Sequence, residues 1–135
     1  MRAVLDTNVL ISAFNFPGGT PEDVYRLGLD GRVELATSTP LLAEFSRILI
    51  DKFGWSPAKA EDAVAQVARV STVVAPKEHV TVIHADPDDD RVLEAAQEAA
   101  ADVIVSGDKH LLRLGSWRDI RIVRPAEFIA EFESR

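Results

Sequence analysis

Cysteine is absent from all 135 residues, which removes a disulfide framework, a thiolate zinc site and a thiol nucleophile together. That absence fits a reducing compartment, and a cytoplasmic location is the expectation. Long apolar runs are also missing: none approaches the roughly 18 residues of a membrane span. Met1-Arg2 is followed by only three apolar residues before Asp6, too few for the core of a secretory signal. No G-x-S-x-G elbow occurs, and Gly18-Gly19-Thr20 lacks the lysine of a phosphate loop. His79, His84 and His110 are scattered without metal-ligand spacing. Positive charge is scarce as well, with 15 Lys+Arg against 22 Asp+Glu and a net charge of −7. Bulk charge is therefore not how this chain would hold a nucleic acid. What is present is globular: 47% hydrophobic and 27% charged residues exclude wholesale disorder. With no internal repeat, a single domain over 1–135 is expected.

Prolines punctuate the chain. Thr20-Pro21, Thr39-Pro40, Ser56-Pro57 and Asp86-Pro87 each set an oxygen acceptor before a proline, predicting helices that start near 20, 39, 56 and 86. Between them lie short apolar β-rich runs at 3–5, 32–36, 72–75, 103–105 and 121–123. Strands alternating with helices define an α/β domain with a mainly parallel sheet. Gly115-Ser116-Trp117 is read as a loop. In such sheets the functional site lies beyond the carboxyl ends of the strands.

Acids gather where that rule points. Asp6 follows the first strand directly, and Asp108 follows the fourth in Ser106-Gly107-Asp108. Glu44 sits at the edge of an apolar helical stripe formed by Leu41, Leu42, Phe45, Ile48 and Leu49. The densest run is Asp86-Pro87-Asp88-Asp89-Asp90. Helix capping accounts for one or two of these four acids. On a helical wheel Asp89 falls near the middle of the buried face, Asp90 at its margin and Asp88 on the solvent side. A carboxylate amid a sheet-facing stripe needs a positive partner, and no Lys or Arg stands out. Asp6, Glu44, Asp89 and Asp108 together could form an all-oxygen site for Mg²⁺ or Mn²⁺, the cations that prefer carboxylates. Such ions serve phosphoryl transfer.

Just beyond Asp108, Lys109, Arg113, Arg118, Arg121 and Arg124 face the single acid Asp119 within their stretch of sequence. This local excess could hold substrate phosphates; an ordinary solvated face is the alternative. Trp55 and Trp117 are read as packing residues.

These motifs in order resemble the PIN-domain family, the nuclease fold used by VapC-type toxins of bacterial toxin–antitoxin systems. Asp6-Thr7-Asn8-Val9-Leu10 is similar to the family's opening motif, and Thr39 to Leu49 to the helix that carries its acid. Asp86-Pro87-Asp88-Asp89 and Ser106-Gly107-Asp108-Lys109 resemble its third and fourth motifs. The resemblance runs from Val4 to about Phe128. It implies an α/β/α sandwich around a five-stranded, mainly parallel sheet, and metal-dependent cleavage of single-stranded RNA. It makes Asp6, Glu44, Asp89 and Asp108 the metal-binding catalytic acids, with Asn8 and Ser106 as polar supports. Asp89 fits its position best, with Asp86 and Asp90 as possible additional acids. The implied partners are RNA, a cognate antitoxin and a second copy of the chain. A PIN-like module that binds RNA or protein without cutting is the competing reading. Two other phosphate-handling families fail on the residues. Haloacid-dehalogenase-like phosphatases need an acid where Asn8 stands, and response-regulator receivers need an acidic pair where only Asp6 is present.

Overall fold

The computed structural model describes residues 1–133. Its centre is a six-stranded sheet ordered β3-β2-β1-β4-β6-β5. Five strands are parallel: β1 (Arg2–Leu5), β2 (Glu34–Ser38), β3 (Ser71–Val74), β4 (Val103–Val105) and β6 (Ile120–Val123). The sixth, β5 (Ser116–Trp117), runs antiparallel to β6 and occupies the stretch expected to be a loop. Its turn uses Arg118 and Asp119, both at positive φ (49° and 66°). That is the backbone of a tight hairpin turn, normally signalled by Asn-Gly or Asp-Gly, so its sequence carried no warning.

Alternation along the strands makes the layers. Ala3, Leu5, Val103 and Val105 point into one apolar core, under α1 (Thr7–Asn15), α2 (Thr20–Leu29), α3 (Thr39–Asp51), α4 (Pro57–Arg69) and α7 (Pro125–Glu133). Val4, Ala36, Ile104 and Ile122 point into the other, under α5 (Pro87–Glu98) and α6 (Lys109–Leu114). This is the expected three-layer α/β/α sandwich. On the first face α2 lies unusually close to the sheet at Gly28. A Cβ there would come within 2.2 Å of Leu35 Cδ1.

All four proline-marked helices are present, with two caps placed differently from expectation. Ser56 and Asp86 cap α4 and α5 through side-chain oxygens, accepting from Lys59 N (3.1 Å) and Asp88 N (3.0 Å). In α3 the cap is Ser38, whose Oγ accepts from Leu41 N (3.2 Å), and Thr39 is already helical. In α2 it is Gly19 rather than Thr20. Helix α1 has no proline signal; it begins directly at the residue after Asp6. Among the described residues no helix is long and apolar enough to cross a membrane.

Candidate metal centre

The chain leaves β1 in one direction to build β2 and β3, and returns on the other side of β1 to build β4. The β1/β4 boundary is therefore the point where strand order reverses, the place where open α/β sheets leave a crevice. Pairing of Leu5 with Val105 puts the next residues, Asp6 and Ser106, side by side. Ser106 Oγ donates to Asp6 Oδ2 at 2.7 Å and accepts from Asp108 N–H at 2.9 Å. One fully buried hydroxyl thus ties the acids after both strands together. Asp108 Oδ1 caps α6, taking the amides of His110 (2.8 Å) and Leu111 (3.1 Å).

Helices α1, α5 and α6 all begin at this edge, each with an acid at its first turn or cap. Their positive ends moderate the crowding of negative charge. They do not cancel it. Asp6 is 4% exposed and holds its proton more tightly than a free aspartate. Burial is the main cause and Asp108 adds repulsion, while the Ser106 hydroxyl and the nearby amides of Asn8 and Thr7 pull the other way.

Asp89 is the most strained member. It is 6% exposed, and its Oδ2 is buried with no hydrogen-bond partner among the described residues. Burial first, then repulsion from Asp108, pushes it up to about 8, with Asp86 and Asp6 contributing. Asp89 and Asp108 lie within reach of a hydrogen bond, but two carboxylates have no donor between them unless they share a proton. Glu44, half-buried on α3, is pushed up to about 7 by burial, then by the charges of Asp88, Asp6 and Asp86, against a smaller pull from Arg47.

Of the expected four acids, Asp6, Asp89 and Asp108 act on one another, and Glu44 is linked to them through Asp6. Asp88 joins them: it is solvent-exposed, as the wheel expected, yet its charge is the largest repulsion on Glu44. A wheel separates packed from unpacked positions but cannot tell a cleft from bulk solvent. Asp90 is placed elsewhere. Its Oδ1 accepts the amides of Val82 (3.1 Å) and Ile83 (2.9 Å), in the irregular segment 75–86 that precedes α5. One and two turns further along α5, Glu94 accepts Val80 N (2.8 Å) and Glu98 accepts Lys77 N (3.0 Å). These three acids replace the sheet pairing that the segment lacks. Asn8 supports Asp6 through its backbone amide, while its side chain is exposed and lines a hollow beside Asp108.

The basic stretch is less free than its sequence suggested. Arg118 pairs with Glu78 (2.9 Å), Arg121 with both carboxylate oxygens of Glu131 (2.6 and 2.9 Å), and Arg124 more loosely with Glu127 (3.6 Å). Lys109 and Arg113 have no ion pair among the described residues, and together they line a hollow with Arg124.

An oxygen-only donor set with an orphaned buried carboxylate oxygen suits a hard divalent cation. Among the described residues, no group of three or more His, Cys, Asp or Glu side chains is arranged so that it could hold one metal ion.

An acid-rich edge at the switch point of a mainly parallel sheet in an α/β/α sandwich is the class of architecture this chain presents. The chain belongs to the PIN-domain family, whose profile matches residues 2–110. Among curated proteins it is 28% identical over 145 residues to the uncharacterised protein MJ1680 of Methanocaldococcus jannaschii, covering 98% of this chain and 92% of that one. Its fold is shared with VapBC2 from Rickettsia felis, solved bound to a DNA fragment from its promoter (TM-score 0.66, 12% identity, 92% and 98% of the two chains). It is shared also with VapBC-1 from nontypeable Haemophilus influenzae (TM-score 0.63, 20% identity, 93% and 99%).

Proposed function

We propose that this protein is an endoribonuclease dependent on Mg²⁺ or Mn²⁺, cleaving single-stranded RNA as the toxin of a toxin–antitoxin pair. The observation that supports it most is Asp89 Oδ2, buried without a donor among Asp108, Asp86 and Asp6. When Asp89 is ionised, such an atom is costly unless a cation meets it. Asp6, Glu44, Asp89 and Asp108 would hold the ion, and Asp86 and Asp88 add negative potential at the rim. A bound divalent ion supplies an activated water and charge neutralisation at the scissile phosphate. The protein's own part is positional. Ser106 fixes the rotamer of Asp6 and the backbone of Asp108. Lys109 and Arg113 offer free cations for flanking phosphates. Membership of the PIN-domain family and a fold shared with VapBC proteins support the toxin assignment, and with it an antitoxin partner, self-association and action in the cytoplasm.

The test is cleavage of a fluorescently labelled single-stranded RNA with Mn²⁺, with EDTA, and with Asp89→Asn. Cleavage in Mn²⁺ that both EDTA and the substitution abolish is expected. Cleavage that persists in excess EDTA would overturn metal dependence. No cleavage, together with no Mn²⁺ binding by calorimetry, would leave the non-catalytic module as the better description.

A further inference from the structure

Beside the acid cluster, with Asp108 in its wall, lies an open hollow of about 470 Å³. Asn8 and Ser12 stand four residues apart on α1 and line it together with the apolar surfaces of Val9, Pro21 and Pro125. Asp108 and Lys109 form the side nearest the acids. Lys109 also lines a second hollow with Arg113, where Arg124 is paired with Glu127. Two polar side chains with both donors and acceptors, apolar flanks, a volume in the range of small-molecule sites and the Lys109 cation in the lining suit a flat heterocycle attached to a phosphate.

We propose that this hollow is a base-recognition pocket: it takes the nucleobase of the nucleotide next to the scissile phosphate, and Asn8 and Ser12 read its edge. The inference rests on the ribonuclease reading and deepens it, naming α1 rather than the acids as the source of sequence preference. The geometry has a clear logic. Asp6 at the start of α1 belongs to the acid group, while Asn8, in the first turn, and Ser12, one turn beyond it, line the hollow. A single rigid helix therefore fixes the distance between recognition and chemistry. Asn8 presents an amide that can give and accept, Ser12 a hydroxyl that can do either. The apolar residues exclude water from the faces of the ring. Lys109 holds the phosphate that links the recognised base to the scissile bond.

The experiment reads the pocket without requiring cleavage. A pentaribonucleotide carrying 2-aminopurine at one position is titrated with the protein in Ca²⁺ or EDTA, and its fluorescence and affinity are measured. An abasic analogue is the control. For wild type, one position should show a fluorescence change on binding, and removing its base should weaken binding. Asn8→Ala and Ser12→Ala should each weaken binding of the intact oligonucleotide roughly fivefold, the scale of one net hydrogen bond, and leave binding of the abasic one unchanged. Both side chains lie outside the buried core, and matching melting temperatures will show that the variants are folded. Equal affinity of wild type for intact and abasic oligonucleotides would overturn the pocket. So would equal losses by the variants on both. A protein that binds with this base dependence yet cuts no RNA in Mn²⁺ would retain the pocket and refute the ribonuclease.

Discussion

Ser106 Oγ lies 2.7 Å from Asp6 Oδ2, across a hundred residues of sequence, and the same oxygen receives the amide of Asp108 at 2.9 Å. The contact exists because β1 and β4 are neighbours in register, so the residues that follow them meet. Ser106→Ala removes the donor to a buried carboxylate and the acceptor of a partly buried amide. A loss of about 2 kcal/mol is expected, as for hydrogen bonds to charged groups. Denaturant unfolding of metal-free protein at neutral pH measures it. Ser106→Thr, which keeps the hydroxyl, should recover most of the loss. A stability unchanged in the alanine variant would mean that the hydroxyl does not hold Asp6.

Three of the acids make the metal-free fold sensitive to pH in an unusual direction. Asp6, Glu44 (about 7) and Asp89 (about 8) all hold protons more tightly folded than free. Above the ordinary carboxylate range of about 4, the unfolded chain has released protons that the folded one retains. Raising pH therefore favours unfolding. Stability should fall steadily from about pH 5 to about pH 8 and then level as these groups finish ionising. Glu34 and Glu78, held low by Arg2 and Arg118, complete their titration below that window and do not offset it. Protons and a divalent cation compete for the same oxygens, so the rise in Tm produced by Mn²⁺ should be larger at pH 8 than at pH 6. Scanning calorimetry across this range, with and without Mn²⁺, checks both signs.

Lys109 and Arg113 should contribute more to RNA affinity than Arg118 or Arg121. The latter two are already held by Glu78 and Glu131, and a phosphate would have to displace those partners. The double variant Lys109→Ala, Arg113→Ala should weaken binding and reduce the salt slope by up to about 1.4, at roughly 0.7 per single-strand phosphate contact. Arg118→Ala should change the slope little. Fluorescence anisotropy at several salt concentrations separates the two. Equal effects from both replacements would show that the ion pairs open on binding.

Asp90 offers a test of structural against metal-binding acids. Asp90→Ala strands the amides of Val82 and Ile83, and about 2–4 kcal/mol of stability should be lost with one buried and one part-buried donor unmet. Asp90→Asn keeps an oxygen that can accept both, so near wild-type stability and Mn²⁺ affinity are expected. Asp89→Asn should do the reverse. It removes a repelling charge and supplies an N–H toward Asp108, so the metal-free protein should melt higher while Mn²⁺ binding is lost. Tm and titration calorimetry on the two asparagine variants give the comparison. Loss of Mn²⁺ affinity in Asp90→Asn would place Asp90 among the ligands.

The sequence alone determined the parts of this protein that depend on near neighbours. Apolar triplets such as Val103-Ile104-Val105 mark strands buried on both faces, and a proline at N1 or N2 marks where four helices begin. Asp6 directly after β1 and Asp108 three residues after β4, with the order of motifs around them, led to the expectation of acids at the carboxyl edge of the sheet. Tertiary structure decided everything that depends on which distant residue lies alongside. Arg118, Arg121 and Arg124 form a basic stretch only until Glu78, Glu131 and Glu127 pair with them. Asp90 differs from Asp89 by one position, or about 100° of helix. That rotation turns one acid toward other carboxylates and the next toward the amides of a crossing segment. Periodicity tells which face of a helix is covered, but not by what, and electrostatic roles are set by what covers it.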